Sequence, residues 1–297
     1  MQSKNISEKL KAIIHNISKL PTLPVIVSQV TDLLYNPKTS VQKLAEVISS
    51  DQSLTAAVLK LANSAYYGYP RQISTVKHAL VILGYNEIRN ITFTVSVLRT
   101  FPWRKNSPLF NHRAFWVHCL GAAVAAKMLA KFFRYRISGK VFVAGLIHDI
   151  GKIILSQYAK DTLEKIMQEV ALQNVSFYQA EKNILGTVTH TDVGSWLAQR
   201  WNLPSEIEEA IKFHHSPSRA KINPPLCCIV HLADVLVRLN SIGWSGDEKI
   251  LSFHPDTRKI LQTVRPDFNE FHIKYFKKVL NEEIKKAKPL FDLIDWS

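Results

Sequence analysis

The residues best suited to chemistry lie in residues 145–152, where a histidine stands directly beside an aspartate. His148 and Asp149 follow an apolar run over residues 141–147, and a glycine stands on either side of the pair. Other candidate ligands recur along the chain in the order His118, His190, His214, His215 and Asp234. Mixed nitrogen and oxygen donors suit a borderline metal ion such as Fe, Mn, Zn or Ni, whereas calcium prefers oxygen ligands.

Each candidate ligand also has a structural interpretation without a metal. A histidine alone on an apolar helix, such as His118, is usually a hydrogen-bonded core residue, and His190 could simply occupy a first helical turn. His214 and His215 could end a helix, where a protonated histidine suits the helix dipole. Asp234 lies among apolar residues, and burying an unpaired carboxylate there would be costly. Asp234 therefore needs a partner or a metal, and the ordered set as a whole favours a metal site.

The composition is that of an ordinary globular protein with a surplus of positive charge. The 297 residues are 46% hydrophobic and 21% charged, and 38 basic residues against 24 acidic ones give a net charge of +14. Such a charge indicates an anionic partner, or else a soluble surface that happens to be basic. We favour the second alternative, because the basic residues are spread along the chain and no nucleic-acid-binding motif occurs.

The N-terminus, the apolar runs and the cysteines bear on where the protein works. No apolar run approaches the ~20 residues of a membrane helix, and residues 1–9 lack the apolar core of a signal peptide. We therefore expect a cytoplasmic protein without a membrane partner. Cys119, Cys227 and Cys228 fit neither a zinc spacing nor a disulfide framework, so we expect reduced, mostly buried thiols.

Helical periodicity runs through almost the whole sequence, with turn residues between the apolar segments. A first amphipathic helix is predicted over residues 6–18. Asp51 and Thr189 are predicted to cap helices, Gly84 to end one, and Ser205 and Glu208 have the spacing of a capping box. We expect an all-α fold with two lobes and a polar, proline-bearing boundary over residues 103–108.

The domain prediction has three parts. An N-terminal helical lobe takes residues 1–105, a second helical lobe with the candidate metal site takes residues 106–243, and a C-terminal helical extension takes residues 244–297. The candidate ligands all fall within the second lobe, and we find no catalytic motif in the extension.

The order of the candidate ligands resembles that of the HD superfamily of metal-dependent phosphohydrolases. The resemblance implies one metal ion held by His118, His148, Asp149 and Asp234. It implies a second ion held by His190, His214 and His215, with Asp149 as the bridge. A metal ion in such a site turns bound water into a hydroxide nucleophile, and two ions can clamp a phosphate. Asp149 and Lys152 are then the candidate catalytic residues, Lys152 by neutralising phosphate charge; its alternative is a solvated lysine at a helix start.

The N-terminal half resembles the HDOD (HD-related output domain) module of bacterial signalling proteins. The resemblance rests on residues 20–24 (LPTLP), 50–54 (SDQSL) and 61–67 (LANSAYY), and on the helix predicted over residues 73–84. It extends to about residue 217, some two thirds of the chain. Modules of this family are all-helical and often lack the metal ligands of HD enzymes, which this chain retains.

Two functions follow from these resemblances. The first is a bacterial signalling protein of the HDOD type, which keeps an HD-like site for one or two divalent transition-metal ions and acts through a protein partner or a small anionic or phosphate ligand. The alternative is a metal-dependent phosphohydrolase acting on a nucleotide or other phosphoester, which the complete ligand set favours. Cyclic-dinucleotide phosphodiesterases of the superfamily carry Gly-Tyr-Pro after their His-His pair, whereas residues 216–220 read SPSRA here, which favours the signalling role. A nucleic-acid binder ranks last.

Overall fold

The structure, a computed structural model, describes residues 22, 24–35, 38–64, 67–102, 110–135, 138–249 and 253–296. None of the described residues lies in a β-strand, and most of them lie in helices. The predicted all-α fold is therefore confirmed. The helix predicted over residues 6–18 and the boundary predicted over residues 103–108 lie outside the described residues.

The described residues form two compact units. The N-terminal unit contains residues 22–102 and 282–296, and the His/Asp unit contains residues 110–281. Residues 244–281, which the sequence analysis placed in an extension, are thus grouped with the candidate ligands. The limits of the three predicted segments stay predictions.

The N-terminal unit begins with four helices: α1 Val25–Tyr35, α2 Val41–Ser49, α3 Gln52–Ala62 and α4 Val76–Thr100. Asp51 caps α3 as predicted, because its carboxylate accepts from the N–H of Leu54 at 2.8 Å. Gly84 has φ +77° and kinks α4, so the helix break predicted there is present, although helical structure resumes beyond it.

The His/Asp unit contains the helices that position the candidate ligands. The bounds of the helices in this unit are α5 His112–Phe132, α6 Ser138–Ile147, α7 Ile150–Tyr158, α8 Lys160–Gln173, α9 Phe177–Leu185, α10 His190–Arg200, α11 Ser205–Phe213, α12 Pro224–Leu239 and α13 Pro255–Val264. Helix α14, Phe271–Lys286, begins in this unit, and its residues 282–286 are grouped with the N-terminal unit. A short α15, Lys288–Phe291, and a 3₁₀ turn, Asp292–Trp296, complete the chain within the N-terminal unit.

Small residues allow the helices around the ligands to approach closely. A Cβ atom on Gly145 would lie 2.8 Å from the carbonyl oxygen of Ala122, so α6 can lie against α5 only with glycine there. A Cβ atom on Gly151 would lie 2.0 Å from the carbonyl oxygen of His190, which fixes the start of α7 against the start of α10. The glycine after the His-Asp pair is therefore required by backbone contact.

The caps predicted for α10 and α11 have different outcomes. Thr189 caps α10 as predicted, and it forms a capping box with Asp192 there. The prediction for Ser205 and Glu208 is wrong, because Ser205 is already the first helical residue and Pro204 occupies the cap position. The Glu208 carboxylate instead accepts from the hydroxyl of Ser195 at 3.1 Å, so contact with α10 overrides the local motif.

Helix α5 is the one described helix with the length and hydropathy of a membrane span. Of its most apolar stretch, 72% is buried inside the protein. Such burial is typical of the central helix of a folded unit.

Candidate metal centre

The structure brings all seven predicted metal ligands into one cluster within the His/Asp unit. They come from α5 (His118), from the junction of α6 and α7 (His148 and Asp149), from the start of α10 (His190), from the end of α11 (His214 and His215) and from α12 (Asp234). Six of them are at most 1% exposed, and His215 is half-buried. The cluster could bind a metal ion, since its donor atoms lie within reach of one another.

The first half-site consists of His118, His148, Asp234 and one oxygen of Asp149. The Nε2 atom of His118 lies 3.2 Å from Oδ1 of Asp234 and 3.7 Å from Oδ2 of Asp149. The Nε2 atoms of His118 and His148 are 3.4 Å apart. Donor atoms that share an ion at ~2.1 Å in tetrahedral geometry are separated by about 3.4 Å. These four side chains therefore already have the separations of ligands around one ion.

The second half-site consists of His190, His214, His215 and the other oxygen of Asp149. Oδ1 of Asp149 lies 3.1 Å from Nε2 of His190 and 3.5 Å from Nε2 of His214. Donor atoms of all four residues lie within 4.8 Å of one another. Asp149 thus turns one carboxylate oxygen to each half-site, which is the arrangement of a bridging ligand.

Hydrogen bonds to backbone carbonyls fix the tautomers of two of these histidines. The Nδ1–H of His148 donates to the carbonyl of Gly145 at 2.8 Å, and that of His214 donates to the carbonyl of Ile211 at 2.8 Å. A carbonyl can only accept, so the proton of each neutral ring is on Nδ1 and the lone pair is on Nε2. Both lone pairs face oxygens of Asp149, and two facing acceptors repel unless a cation lies between them.

Glu181, which the sequence analysis missed, fixes the tautomer of a third histidine. Glu181 lies on α9 and is fully buried. Its Oε1 accepts from the backbone N–H of His190 at 2.7 Å, and its Oε2 accepts from the Nδ1–H of the same residue at 2.5 Å. The available signal was its position on the face of α9 that also carries Phe177 and Ala180, both of which are buried. A glutamate on an apolar face needs a buried partner.

Five buried polar atoms in the cluster have no hydrogen-bond partner among the described residues. They are Oδ1 of Asp149, Oδ2 of Asp234 and the Nε2 atoms of His190, His214 and His215. Leaving a buried donor or acceptor unsatisfied costs about 1–3 kcal/mol. A metal ion in each half-site would satisfy these atoms, so the residues present fit the group.

Lys152 is completely buried, so the solvated alternative for this residue is wrong. Its Nζ donates to Oδ2 of Asp149 at 2.7 Å and to the carbonyl of Ser245 at 3.0 Å. It also lies 5.2 Å from the centre of the Phe177 ring. Lys152 is thus the counter-ion of Asp149; a catalytic role for it stays a prediction.

Arg238, also missed from the sequence, is the counter-ion of Asp234. Its Nε donates to Oδ1 of Asp234 at 3.1 Å, and its Nη1 donates to Oδ1 of Asp247 at 3.0 Å. The spacing of four residues between Asp234 and Arg238 on one helix was the available signal.

Both ligand aspartates are held in the ionised form. Burial opposes ionisation of Asp149, but the Lys152 ammonium and the neighbouring histidines together hold the pKa of Asp149 well below its usual range. Burial likewise opposes ionisation of Asp234, but the Arg238 guanidinium, His118 and His148 together hold the pKa of that carboxyl well below its usual range. Ionised carboxylates are the form that binds a metal ion.

Burial favours the neutral form of three of the candidate histidines. Burial lowers the pKa of His118 and His215, and it lowers the pKa of His214 to about 4. His190 differs: burial disfavours its charged form, but the Glu181 and Asp149 carboxylates together raise its pKa above the ordinary value. Neutral imidazoles bind metal without first losing a proton.

The connection over residues 240–249 covers the cluster. The N–H of Trp244 donates to the carbonyl of Ala114 at 3.0 Å, and Oδ2 of Asp247 accepts from the N–H of Phe177 at 2.9 Å. A cavity of about 70 Å³ lies between this connection and His118. This volume is small beside the roughly 300 Å³ at which pockets for drug-sized ligands begin.

Comparisons with known proteins agree with this architecture. The pattern of the HDOD domain matches residues 20–217. An uncharacterized protein of Treponema pallidum (strain Nichols) is 26% identical over 229 residues, which are 76% of this chain. This chain spans 44% of the length of that curated relative.

Solved structures share the fold over nearly the whole chain. An HDOD domain protein with unknown function from Geobacter sulfurreducens is 27% identical, with a TM-score of 0.79 and 98% of each chain covered. A protein of Shewanella amazonensis SB2B, proposed to be a phosphohydrolase, is 21% identical, with a TM-score of 0.72 over 95% of this chain and 98% of that one. At that identity the second likeness concerns the fold alone.

Proposed function

The chain belongs to the HDOD domain family, and we propose that it is a metal-binding signalling protein of the cytoplasm. In this proposal one or two divalent ions of Fe, Mn, Zn or Ni occupy the two half-sites. The protein then acts through a protein partner or a small anionic or phosphate ligand. Nucleic acid and membranes are not part of the proposal.

One observation carries the proposal: the lone pairs of neutral imidazole rings point at the oxygens of ionised carboxylates. Nε2 of His214 faces Oδ1 of Asp149 at 3.5 Å, and the carbonyl of Ile211 already holds the proton of that ring. A core without metal would normally place a donor opposite each buried acceptor. A cation between these atoms removes the repulsion and satisfies both.

The enclosure of the centre supports a regulatory role over hydrolysis of a large substrate. The ligands come from segments far apart in the chain, so an ion bound only by the folded state would stabilise the whole unit. Covering residues 240–249 leave a cavity of about 70 Å³ beside His118. A bound ion would therefore stabilise one conformation of the unit, and its presence would depend on that conformation.

A phosphohydrolase is the second candidate, and the placement of Asp149 favours it. Each oxygen of Asp149 faces a different half-site, as a ligand between two ions would. When bound, such ions lower the pKa of water and stabilise charge on a phosphoryl group. The chain itself would contribute the orientation of the ligands and the exclusion of water.

Metal analysis and a phosphatase screen separate these proposals. Protein purified without chelator is expected to contain Fe, Mn, Zn or Ni, and His214→Ala is expected to lose part of it. His78→Ala, a histidine of the N-terminal unit that contacts Tyr69, serves as the matched control and should keep all of it. Each protein is also tested on p-nitrophenyl phosphate and bis-p-nitrophenyl phosphate.

The outcomes distinguish a signalling protein, a phosphohydrolase and a cluster that binds no metal. Metal without turnover supports the signalling proposal, and turnover that disappears in His214→Ala makes the protein a phosphohydrolase. Wild-type protein that takes up none of the four metals, even after dialysis against them, would show that the cluster is not a metal site.

A further inference from the structure

Helix α9 carries no predicted ligand, yet it presents three side chains to the second half-site. Tyr178 stacks on His215 with ring centres 4.3 Å apart and an angle of 27°. Phe177 meets His190 edge-on, with ring centres 6.0 Å apart. Glu181 completes the set through its two bonds to His190. The helix therefore forms a wall that orients two of the three histidines.

The bond between Glu181 and His190 needs a carboxylate. Its two partners, the backbone N–H and the Nδ1–H of His190, are both donors, and a carboxylate supplies an acceptor to each. In the neutral ring, with the proton on Nδ1, the lone pair of His190 is on Nε2, 3.1 Å from Oδ1 of Asp149. Glu181 thereby holds the tautomer and the ring orientation that a metal ligand requires.

We propose that Glu181 is a positioning residue for the second half-site, acting on the metal through His190. The inference rests on the proposed metal-binding function. Residues that orient a metal-bound histidine commonly change metal affinity by about 10- to 100-fold when they are replaced. The first half-site is held differently, by the Gly145 carbonyl on His148 and by Arg238 on Asp234. The effect of Glu181 should therefore be confined to the second ion.

Glu181→Gln is the sharpest substitution, because it preserves shape and changes only the acceptors. An amide offers one acceptor and one donor group, so one of the two His190 donors would face a donor. Reversal of the tautomer relieves that conflict and places a proton on Nε2, where Oδ1 of Asp149 can accept it across 3.1 Å. The variant should stay folded without metal, because this new bond closes the second half-site.

The test measures Mn²⁺ binding by calorimetry and by metal analysis after equilibrium dialysis. Wild-type protein is expected to bind two ions, and Glu181→Gln is expected to weaken one of them by about 10- to 100-fold. Glu209→Gln is the matched control, since Glu209 is also a buried glutamate and accepts from the backbone N–H groups of Ile222 and Asn223. The control should lower stability without changing Mn²⁺ binding.

A double substitution shows whether Glu181 acts through His190. Adding Glu181→Gln to His190→Ala should cause no further loss of Mn²⁺ affinity if the proposal is right, because the oriented ring is already gone. Additive losses in the double variant, or wild-type binding of both ions by Glu181→Gln, would overturn it. Wild-type protein that binds no Mn²⁺ or other transition metal would instead refute the metal-binding function itself.

Discussion

Asp149→Asn tests the bridging carboxylate and the buried cation beside it in one substitution. Asp149 and Lys152 are at most 1% exposed, and Nζ of Lys152 lies 2.7 Å from Oδ2 of Asp149. Removing one partner of a buried ion pair costs about 3–5 kcal/mol, because the other charge stays buried without compensation. In EDTA the variant should therefore be about 3–5 kcal/mol less stable than the wild type.

The metal adds a second and separable loss. An ion that binds only the folded state stabilises it by about 2.7 kcal/mol when its free concentration is 100 times its dissociation constant. For each ion that Asp149→Asn no longer binds, the difference in unfolding free energy from wild type should grow by about 2.7 kcal/mol, to about 6–8 kcal/mol for one ion and about 8–10 kcal/mol for two. Urea unfolding followed by circular dichroism, in EDTA and in Mn²⁺, measures both differences.

Asp149→Asn/Lys152→Met separates the two causes. It removes the orphaned ammonium, so it should recover most of the stability lost in EDTA but none of the stability that metal confers. Asp161→Asn, an exposed aspartate on α8, is the control and should stay within about 0.5 kcal/mol of wild type. Two results would refute the reasoning: wild-type stability of Asp149→Asn in EDTA, or an undiminished gain from Mn²⁺ in that variant.

Three further expectations concern backbone contact, thiols and charge. Gly151→Ala would place a Cβ atom 2.0 Å from the carbonyl oxygen of His190. This overpacking should lower the free energy of unfolding by at least ~1–3 kcal/mol and reduce the amount of bound metal. An unchanged melting temperature and metal content would contradict this expectation. Cys119, Cys227 and Cys228 are buried, and burial raises the pKa of Cys228 to about 12, so Ellman's reagent at pH 8 should react only after denaturation. Single-stranded DNA should bind weakly and without sequence preference, with an affinity that falls steeply between low and physiological salt; a tight, sequence-selective complex would contradict this.

The all-α fold could be predicted from the sequence because helices follow from local signals, whereas the candidate ligands are far apart in the chain and were grouped by the resemblance to the HD superfamily. Helical periodicity and cap residues such as Asp51 act within a few neighbouring residues, and the structure contains the helices they indicate. The seven candidate ligands were chosen by residue type and order, and all seven meet in one cluster. Metal binding by these residues stays a prediction.

The supporting residues could not be predicted because their partners lie on other elements. The sequence allowed Lys152 to be either a solvated lysine or a lysine that points into the site. Its burial depends on a hydrogen bond to the carbonyl of Ser245, which is 93 positions along the chain. Glu181 reaches His190 only because α9 and α10 lie side by side. Glu208 likewise accepts from the hydroxyl of Ser195 on another helix and does not form the predicted capping box. Tertiary contacts decided each of these positions.

The same two cations neutralise the ligand carboxylates and hold the covering connection in place. Lys152 joins Asp149 to the carbonyl of Ser245, and Arg238 joins Asp234 to Asp247. Opening the connection for a nucleotide-sized substrate would break the bonds from Lys152 and Arg238 to it and leave both cations with fewer partners in a buried place, which is costly. A small ion or anion needs no such opening, because the cavity beside His118 already has about 70 Å³. The arrangement therefore favours a centre that binds and holds an ion over one that repeatedly admits and releases a large phosphoester.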